Sequence, residues 1–244
     1  MSTLVPLIRK LEQFKPLHPA EREAIESWRF RIIEIAAHSD IAREGIIAEE
    51  SAVLLHGYAF RQKVLEGGSR QIVALHIPGD FIDLHSLVLK PLDHSITAST
   101  RTVIAKIPHG EIFQTMEKYP NLARTFMWDI ALDGAVTRQW MVTMGQKSAY
   151  EQLAHLMCEL YFRLERVGLA QNQTFELMLT QTDFADICGI TPIHVNRSLQ
   201  ALQRDGLVIR EKKQVTLPDI ESLIETAGFD PSYLHLLAAS AKLD

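Results

Sequence analysis

The residues whose types and spacing could do chemistry lie between positions 180 and 217. Thr180 with Asp183 three residues later forms a helix N-terminal capping pattern, and Thr191 followed by Pro192 forms a second one. The segment therefore predicts a helix, a tight turn that contains a glycine, and a second helix that ends before Gly206. This order is typical of a helix-turn-helix.

The second helix has two different faces. Val195, Leu199 and Leu202 form its apolar side, and the opposite side carries hydrogen-bonding groups toward the N-terminal end. Arginine can pair with guanine O6 and N7, while asparagine and glutamine can pair with adenine N6 and N7. A recognition helix reads DNA with its N-terminal half. The predicted DNA-binding residues of the two helices are Thr180, Thr182, Thr191, Pro192, Ile193, His194, Asn196, Arg197 and Gln200.

A two-stranded wing is predicted directly after this helix, from Leu207–Arg210 and Gln214–Leu217. Lys212 and Lys213 lie in its turn and are predicted to reach DNA phosphates. The net charge of −5 does not indicate a nucleic-acid-binding protein, so the basic surface must be local. Residues 194–213 hold five Lys and Arg against two Asp and Glu, which concentrates positive charge on the helix and wing.

A long helix is predicted after Pro120, because the chain to Met144 contains no further proline and one glycine. Apolar and small residues recur there at alternating four- and three-residue spacings, which is typical of paired helices. We call this set the seam and predict that it pairs with a second copy of the chain. Packing of the same stripe on the protein's own β-rich region stays the alternative. The seam residues are Ala123, Met127, Ile130, Gly134, Thr137, Met141 and Met144.

Short β-prone runs precede the long helix, at Ala52–Leu55, Gln71–Ile77 and Thr102–Ile107. A Gly-Gly turn at 66–69 predicts a hairpin, and the spacing of the runs favours an antiparallel β-roll or jelly roll. The predicted fold class is α+β. The predicted domains are residues 1–115 for short helices and a β-roll sensor, 116–147 for the dimerisation helix and hinge, and 148–244 for the winged helix-turn-helix and a C-terminal tail.

Several classes of protein are disfavoured by composition. No apolar run reaches the roughly 18 residues that a membrane span needs, and the N-terminus has no signal-peptide core, so we expect a cytoplasmic protein with no membrane partner. Cys158 and Cys188 are too few for a disulfide scaffold or a four-thiolate cluster. Catalytic motifs such as Gly-x-Ser-x-Gly, a phosphate-binding loop or His-Glu-x-x-His are absent, and we expect no enzyme.

The order of parts and the residues Gln181–Leu207 resemble the CRP/FNR superfamily, named after the cyclic-AMP receptor protein and the fumarate-nitrate regulator. The resemblance spans about 32–217 and includes the phrases Pro78-Gly79-Asp80-Phe81 and Thr191–Arg197. It implies a cyclic-nucleotide-binding-like β-roll and a homodimer that binds double-stranded DNA at an inverted repeat. It also implies contact with RNA polymerase, and it matches Arg197 to the arginine that the family uses on guanine.

The sensor region departs from the family. The family's cyclic-nucleotide cassette is Gly-Glu-Leu followed by Arg-Ser-Ala, and here Asp83-Leu84-His85 and His94-Ser95-Ile96 stand in those places. Asp83 brings a negative charge toward the expected phosphate, and Leu84 cannot bind a ribose hydroxyl. We therefore expect no cyclic AMP binding.

Two other cofactors depend on cysteine or histidine ligands. The oxygen-sensing branch of the family uses an N-terminal cysteine cluster, whereas no cysteine precedes Cys158, so we expect no iron-sulfur cluster. Haem stays open because His56, His76, His85 and His94 lie in the sensor region, although their spacing identifies no metal site. The effector is therefore unknown. A β-roll module that acts on a partner protein rather than on DNA stays the alternative function.

Overall fold

A computed structural model describes residues 3–236, which form two compact units. Among the described residues, the first unit contains 3–62, 75–135 and 234–236, and the second contains 63–74 and 136–233. The predicted domain boundaries stay a prediction, and the part of the predicted third domain after residue 236 lies outside the described residues.

The first unit begins with two short helices, as the sequence predicts, and α2 starts at Pro19 with the backbone N–H of His18 donating to Glu21 Oε2 at 2.9 Å. A further helix after the β-roll was not predicted. Residues 136–146 of the long helix α4 belong to the second unit. The helices are α1 (Val5–Leu11), α2 (Pro19–Glu26), α3 (His109–Lys118) and α4 (Pro120–Gln146).

The β-roll contains two antiparallel sheets, one with strand order β1-β7-β3 and the other with order β2-β6-β4-β5. The predicted hairpin is the β4–β5 pair, whose turn is closed by the N–H of Leu65 donating to the carbonyl of Ser69 at 2.9 Å. The strands are β1 (Arg31–Ile35), β2 (Asp40–Ala42), β3 (Glu50–His56), β4 (Ala59–Val64), β5 (Arg70–His76), β6 (Ser95–Ala98) and β7 (Thr102–Pro108).

Two apolar cores stabilise the first unit. One lies inside the roll and includes Leu54, Ile82 and Ile96, while the other joins the short helices to the outside of the roll through Trp28 and Phe126. Because burying each large apolar side chain contributes roughly 1.5–3 kcal/mol, this second core fixes the start of α4 against the roll.

The second unit is mainly helical. Ser148 and Glu151 form the predicted capping box at the start of the helix Ala149–Arg166. The long helix α4 continues through Gln146, whereas the sequence predicted its end at Gly145. A four-stranded sheet has the order β10-β11-β9-β8. The elements are α5 (Ala149–Arg166), β8 (Ala170–Gln171), β9 (Thr174–Glu176), α6 (Gln181–Cys188), α7 (Pro192–Arg204), β10 (Ile209–Glu211), β11 (Gln214–Thr216) and α8 (Ile220–Ala227).

The α+β fold class is confirmed, with a β-rich N-terminal region, long helices and a C-terminal helix-turn-helix. Within residues 3–236, none of the helices combines the length and the apolar character that crossing a lipid bilayer requires.

Candidate nucleic-acid interface

The first helix of the helix-turn-helix is fixed by its own ends. The Thr180 hydroxyl accepts from the N–H of Asp183 at 3.1 Å, and the Asp183 carboxylate accepts from the N–H of Thr180 at 2.9 Å. This capping box satisfies backbone donors that have no partner inside the helix. At the other end Gly189 adopts φ 65°, a left-handed conformation that glycine adopts without steric cost. The predicted α6 is therefore present with the predicted signals.

The second helix also begins where the sequence places it. Thr191 caps α7 by accepting from the N–H of His194 at 3.3 Å, and Pro192 occupies the first turn. Val195, Leu199 and Leu202 are buried, which fixes the rotation of the helix about its axis. The helix ends at Arg204, one residue before the predicted Asp205, which is its C-cap.

The rotation of α7 leaves one face open to solvent. Ile193 is 65% exposed, so its apolar side chain is accessible to a partner surface. His194, Arg197 and Gln200 are exposed beside it, whereas Asn196 is half-buried. We call Ile193, His194, Arg197 and Gln200 the recognition face. Its groups match those that hydrogen-bond and contact base edges in a major groove.

A shallow surface depression of about 680 Å³ continues this face toward the end of α7. Arg197, Gln200, Gln203 and Arg204 line it. Gln203 and Arg204 were not among the predicted DNA-binding residues. The three- and four-residue spacing of a helix from Gln200 could have found both, since it places them on the same side.

The wing is a short antiparallel pair in which Arg210 faces Val215. Lys212, at φ 53°, and Lys213 are exposed in its turn, so both predicted phosphate-contacting groups are accessible. Arg210 has a different place. Its guanidinium donates to the carbonyl of Leu179 at 2.7 Å and lies 5.6 Å from the ring centroid of Phe184, and burial lowers its pKa. The local basic charge thus includes one arginine that holds the wing to α6 rather than facing outward.

An arginine of the same unit contacts both carboxylates of α6. Arg70, in the hairpin segment 63–74, lies 3.0 Å from Asp183 Oδ1 and 2.7 Å from Asp186 Oδ2. Gln71 donates to the carbonyl of Asp186 at 2.7 Å. Because carboxylates beside DNA phosphates repel them, these contacts reduce an unfavourable charge near the start of α6. Thr180 and Thr182, both exposed there, remain accessible.

Three residues of the α4 seam are exposed to solvent. Met127 is 66% exposed, Met141 is 65% exposed and Ile130 is 36% exposed, while the remaining seam residues are half-buried. In the first unit a different stripe of the helix packs on the protein's own core, through Leu122 and Phe126. Met127 and Ile130, which both belong to the first unit, are therefore not covered by the core of that unit.

Two family models match the chain. The Crp-like helix-turn-helix domain matches residues 151–226, and the Cyclic nucleotide-binding domain matches residues 32–119. The first match contains the whole recognition face, and the second contains the β-roll. Together the two matched regions account for most of the chain.

Named relatives and a solved structure agree with these models. The chain is 30% identical over 184 residues to "Transcriptional activator protein FnrL" of Cereibacter sphaeroides. The aligned region covers 73% of this chain and 73% of the relative. It is 25% identical over 165 residues to "Transcriptional activator protein anr" of Pseudomonas aeruginosa. This aligned region covers 68% of this chain and 67% of the relative. The structure of FixK2 from Bradyrhizobium japonicum matches with a TM-score of 0.70 at 22% identity, and covers 87% of this chain and all of FixK2.

The residues of this β-roll do not fit a cyclic nucleotide. Asp83, which stands where the cassette begins, is fully buried and accepts from the N–H of Ala52 at 2.6 Å, with Lys106 Nζ at 4.0 Å. Burial raises the pKa of Asp83 to about 6. Leu84 is also buried, so the position expected to bind a ribose hydroxyl is part of the core.

The phosphate position of the cassette is equally altered. His94 stands there instead of arginine, and the nearby Arg61 is engaged by Asp133 at 2.5 Å and by the carbonyl of Ile82 at 3.1 Å. The structure therefore offers a phosphate neither the family's arginine nor an uncommitted substitute at these two positions.

The four sensor histidines have different surroundings. His56 is exposed, and His76 is buried with its Nδ1 3.8 Å from Asp80 Oδ2. His85 and His94 lie side by side, with ring centroids 4.9 Å apart. Sequence reasoning missed this pair, because the two histidines are nine positions apart and no spacing rule for metal ligands covers such a loop.

Proposed function

Because the chain belongs to the CRP/FNR family of transcription regulators, we propose that it acts as a homodimer whose two recognition helices read the halves of an inverted-repeat operator. The family is one of DNA-binding regulators rather than of enzymes. The observation that carries the proposal is the recognition face. It is exposed on a helix that is capped at its start and held by three buried apolar side chains.

In this proposal Arg197 pairs with guanine and Gln200 lies one helical turn further along the groove. An arginine–guanine pair discriminates against the wrong base by about 1–3 kcal/mol. Asn196 contributes at the edge of the contact, since it is half-buried. Pro192 and Ile193 provide apolar contact at the start of the helix, and His194, Thr191, Thr180 and Thr182 supply hydrogen bonds to the bases or backbone.

The wing contributes affinity rather than sequence preference. Lys212 and Lys213 neutralise phosphates, and each neutralised phosphate releases a counterion, so binding weakens as salt rises. Since phosphate contacts carry no direct sequence information, we assign specificity to α7 and position to the wing.

Dimerisation through the seam places two copies of α7 on one duplex. Met127, Ile130 and Met141 supply exposed apolar surface, and the small residues Ala123, Gly134 and Thr137 allow close approach of two helices. Two-fold symmetry in the protein then corresponds to an inverted repeat in the DNA, with half-site centres about 34 Å apart. The proposal extends to contact between the DNA-bound dimer and RNA polymerase in the cytoplasm, because the relatives FnrL and anr are named transcriptional activators.

Selection from a library of random duplexes tests this proposal. The purified full-length protein is used to enrich bound DNA over several rounds, and the enriched sequences are mapped by footprinting at two salt concentrations. We expect an inverted repeat with protected half-sites one helical turn apart. Failure to enrich any sequence, at low salt as well as at moderate salt, would overturn the proposal and favour a protein-binding module.

A further inference from the structure

A cluster of metal-ligating groups lies in the first unit at the loop before β6. His85 is in a short 3₁₀ helix at Leu84–Leu87, and Asp93 with His94 directly precedes β6. One ligand atom from each of the three side chains lies within 4.8 Å of the others. Two imidazole nitrogens and one carboxylate oxygen thus meet in one place.

The hydrogen bonding of His94 leaves one nitrogen without a partner. Its Nδ1 lies 2.7 Å from Asp93 Oδ1. An ionised carboxylate only accepts, so the proton is on Nδ1 and the lone pair is on Nε2. His94 is 5% exposed, and its Nε2 is buried without a hydrogen-bond partner. A buried acceptor with no donor is energetically unfavourable, and a bound cation would remove this cost.

The second histidine repeats this feature. His85 Nε2 is also buried without a hydrogen-bond partner, and the two imidazole rings are 4.9 Å apart.

From this geometry we propose that His85 and His94 bind a divalent first-row transition metal ion through their Nε2 atoms, with zinc as the best match. Imidazole nitrogens suit Zn²⁺, and water molecules would complete its coordination. Asp93 holds the imidazole of His94, as carboxylates do beside metal-bound histidines.

The distances and charges around the cluster are compatible with an ion. Ligand atoms of the three side chains lie within 4.8 Å of one another, whereas those around a tetrahedral zinc lie roughly 3.4 Å apart, so the two imidazoles have to move closer together to bind one ion. The neighbouring Arg61 would repel a cation, but its charge is balanced by Asp133 at 2.5 Å. The Asp93 side chain is 84% exposed, so the cluster lies close to the surface of the unit.

Titration of the full-length protein with Zn²⁺, in competition with a chelator, tests the site. We expect one ion per protomer, and Co²⁺ in its place should give the visible absorption of a low-coordinate site. His85→Ala and His94→Ala should each lower the affinity at least about 100-fold, and Asp93→Asn should lower it roughly 10- to 100-fold. His56→Ala, which removes an exposed histidine of the same unit, is the matched control.

The variants separate a metal site from a structural role. Asp93 is exposed, so Asp93→Asn should keep the circular dichroism spectrum and differ only in metal affinity and in the Co²⁺ spectrum. Unchanged affinity in His85→Ala and His94→Ala, loss of binding in His56→Ala, or no binding of Zn²⁺ and Co²⁺ by the wild-type protein would each overturn the proposal. Metal binding is measured directly, so the result does not depend on whether the protein reads an inverted repeat.

Discussion

The two units place their polar groups in opposite ways. In the helix-turn-helix, Arg197 and Gln200 project from α7 into solvent while its apolar side chains are buried. In the β-roll, the side chains of Asp83, His76 and His94 are buried. Exposed polar groups on a rigid helix suit a macromolecular partner that brings its own surface, whereas buried polar groups have a free-energy cost unless a small ligand or a neighbouring group satisfies them.

The buried face of α7 is the first place to test this difference. Leu202→Ala removes a fully buried side chain and should lower the free energy of unfolding of the second unit by about 2–5 kcal/mol. Hydrogen exchange of the α7 amides measures the change. Gln203→Ala, at the next and exposed position, should leave the exchange almost unaltered. Equal protection in the two variants would show that α7 is not anchored by its apolar face.

Asp83 tests the cost of a buried carboxylate in the roll. Burial raises its pKa from 3.8 to about 6, although Lys106 and Arg61 oppose the rise. The folded protein therefore binds this proton more tightly than the unfolded chain does. The contribution to stability is fully present below about pH 4 and is lost as pH rises through 6. The difference corresponds to at most about 3 kcal/mol.

Asp83→Asn should remove that pH dependence and raise the free energy of unfolding at pH 7. Urea unfolding of the wild type and the variant at a series of pH values between 4 and 8 measures the difference between them. Asp40→Asn, at an exposed aspartate of the same unit, controls for loss of a charge. Parallel curves for the wild type and Asp83→Asn would contradict the assignment of the shift to Asp83.

The seam of α4 adds exposed apolar side chains at Met127, Ile130 and Met141. Met141→Glu places a charge in the proposed interface and should weaken dimerisation by on the order of 2 kcal/mol, or about thirtyfold. Sedimentation over a range of protein concentrations measures this. Gln146→Glu adds the same charge at the exposed end of the helix and should keep the dimer. If both variants sediment as the wild type does, the dimer uses another surface.

The smallest effect concerns the start of α7. Thr191→Ala removes the side chain that caps the helix and should lower the free energy of unfolding by about 1 kcal/mol. Thr191→Ser retains a capping hydroxyl and should restore most of the loss. Thermal unfolding of the two variants compares them directly, and a serine variant as unstable as the alanine variant would exclude a capping role.

The sequence predicts more of the helix-turn-helix than of the β-roll, because the signals of the helix-turn-helix are local. The caps at Thr180 and Thr191 and the left-handed glycine at 189 are local signals, readable within a few residues, and α6 and α7 begin where they indicate. The DNA-binding class and the α+β fold are confirmed, and the individual DNA-contacting residues stay predictions.

The β-roll depends on contacts between residues far apart in the chain. The short strands β1, β2 and β6 and the helix α3 carry weak local patterns and were not predicted individually. The ion pairs of Lys10 were not predicted either. Its Nζ lies 2.7 Å from Asp80 Oδ1 and 2.6 Å from Asp129 Oδ1, and the three residues are far apart in the chain. The His85–His94 pair belongs to this group, since only the folded loop brings the two rings together.

If α7 reads base pairs through Arg197, loss of this side chain must weaken binding to the operator more than binding to random DNA. Affinities of the wild type, Arg197→Ala and the control Arg166→Ala are measured on the selected operator and on random DNA at one salt concentration. We predict that Arg197→Ala loses roughly 5- to 150-fold on the operator, or about 1–3 kcal/mol, and much less on random DNA. An equal loss on both DNAs would contradict base reading by α7.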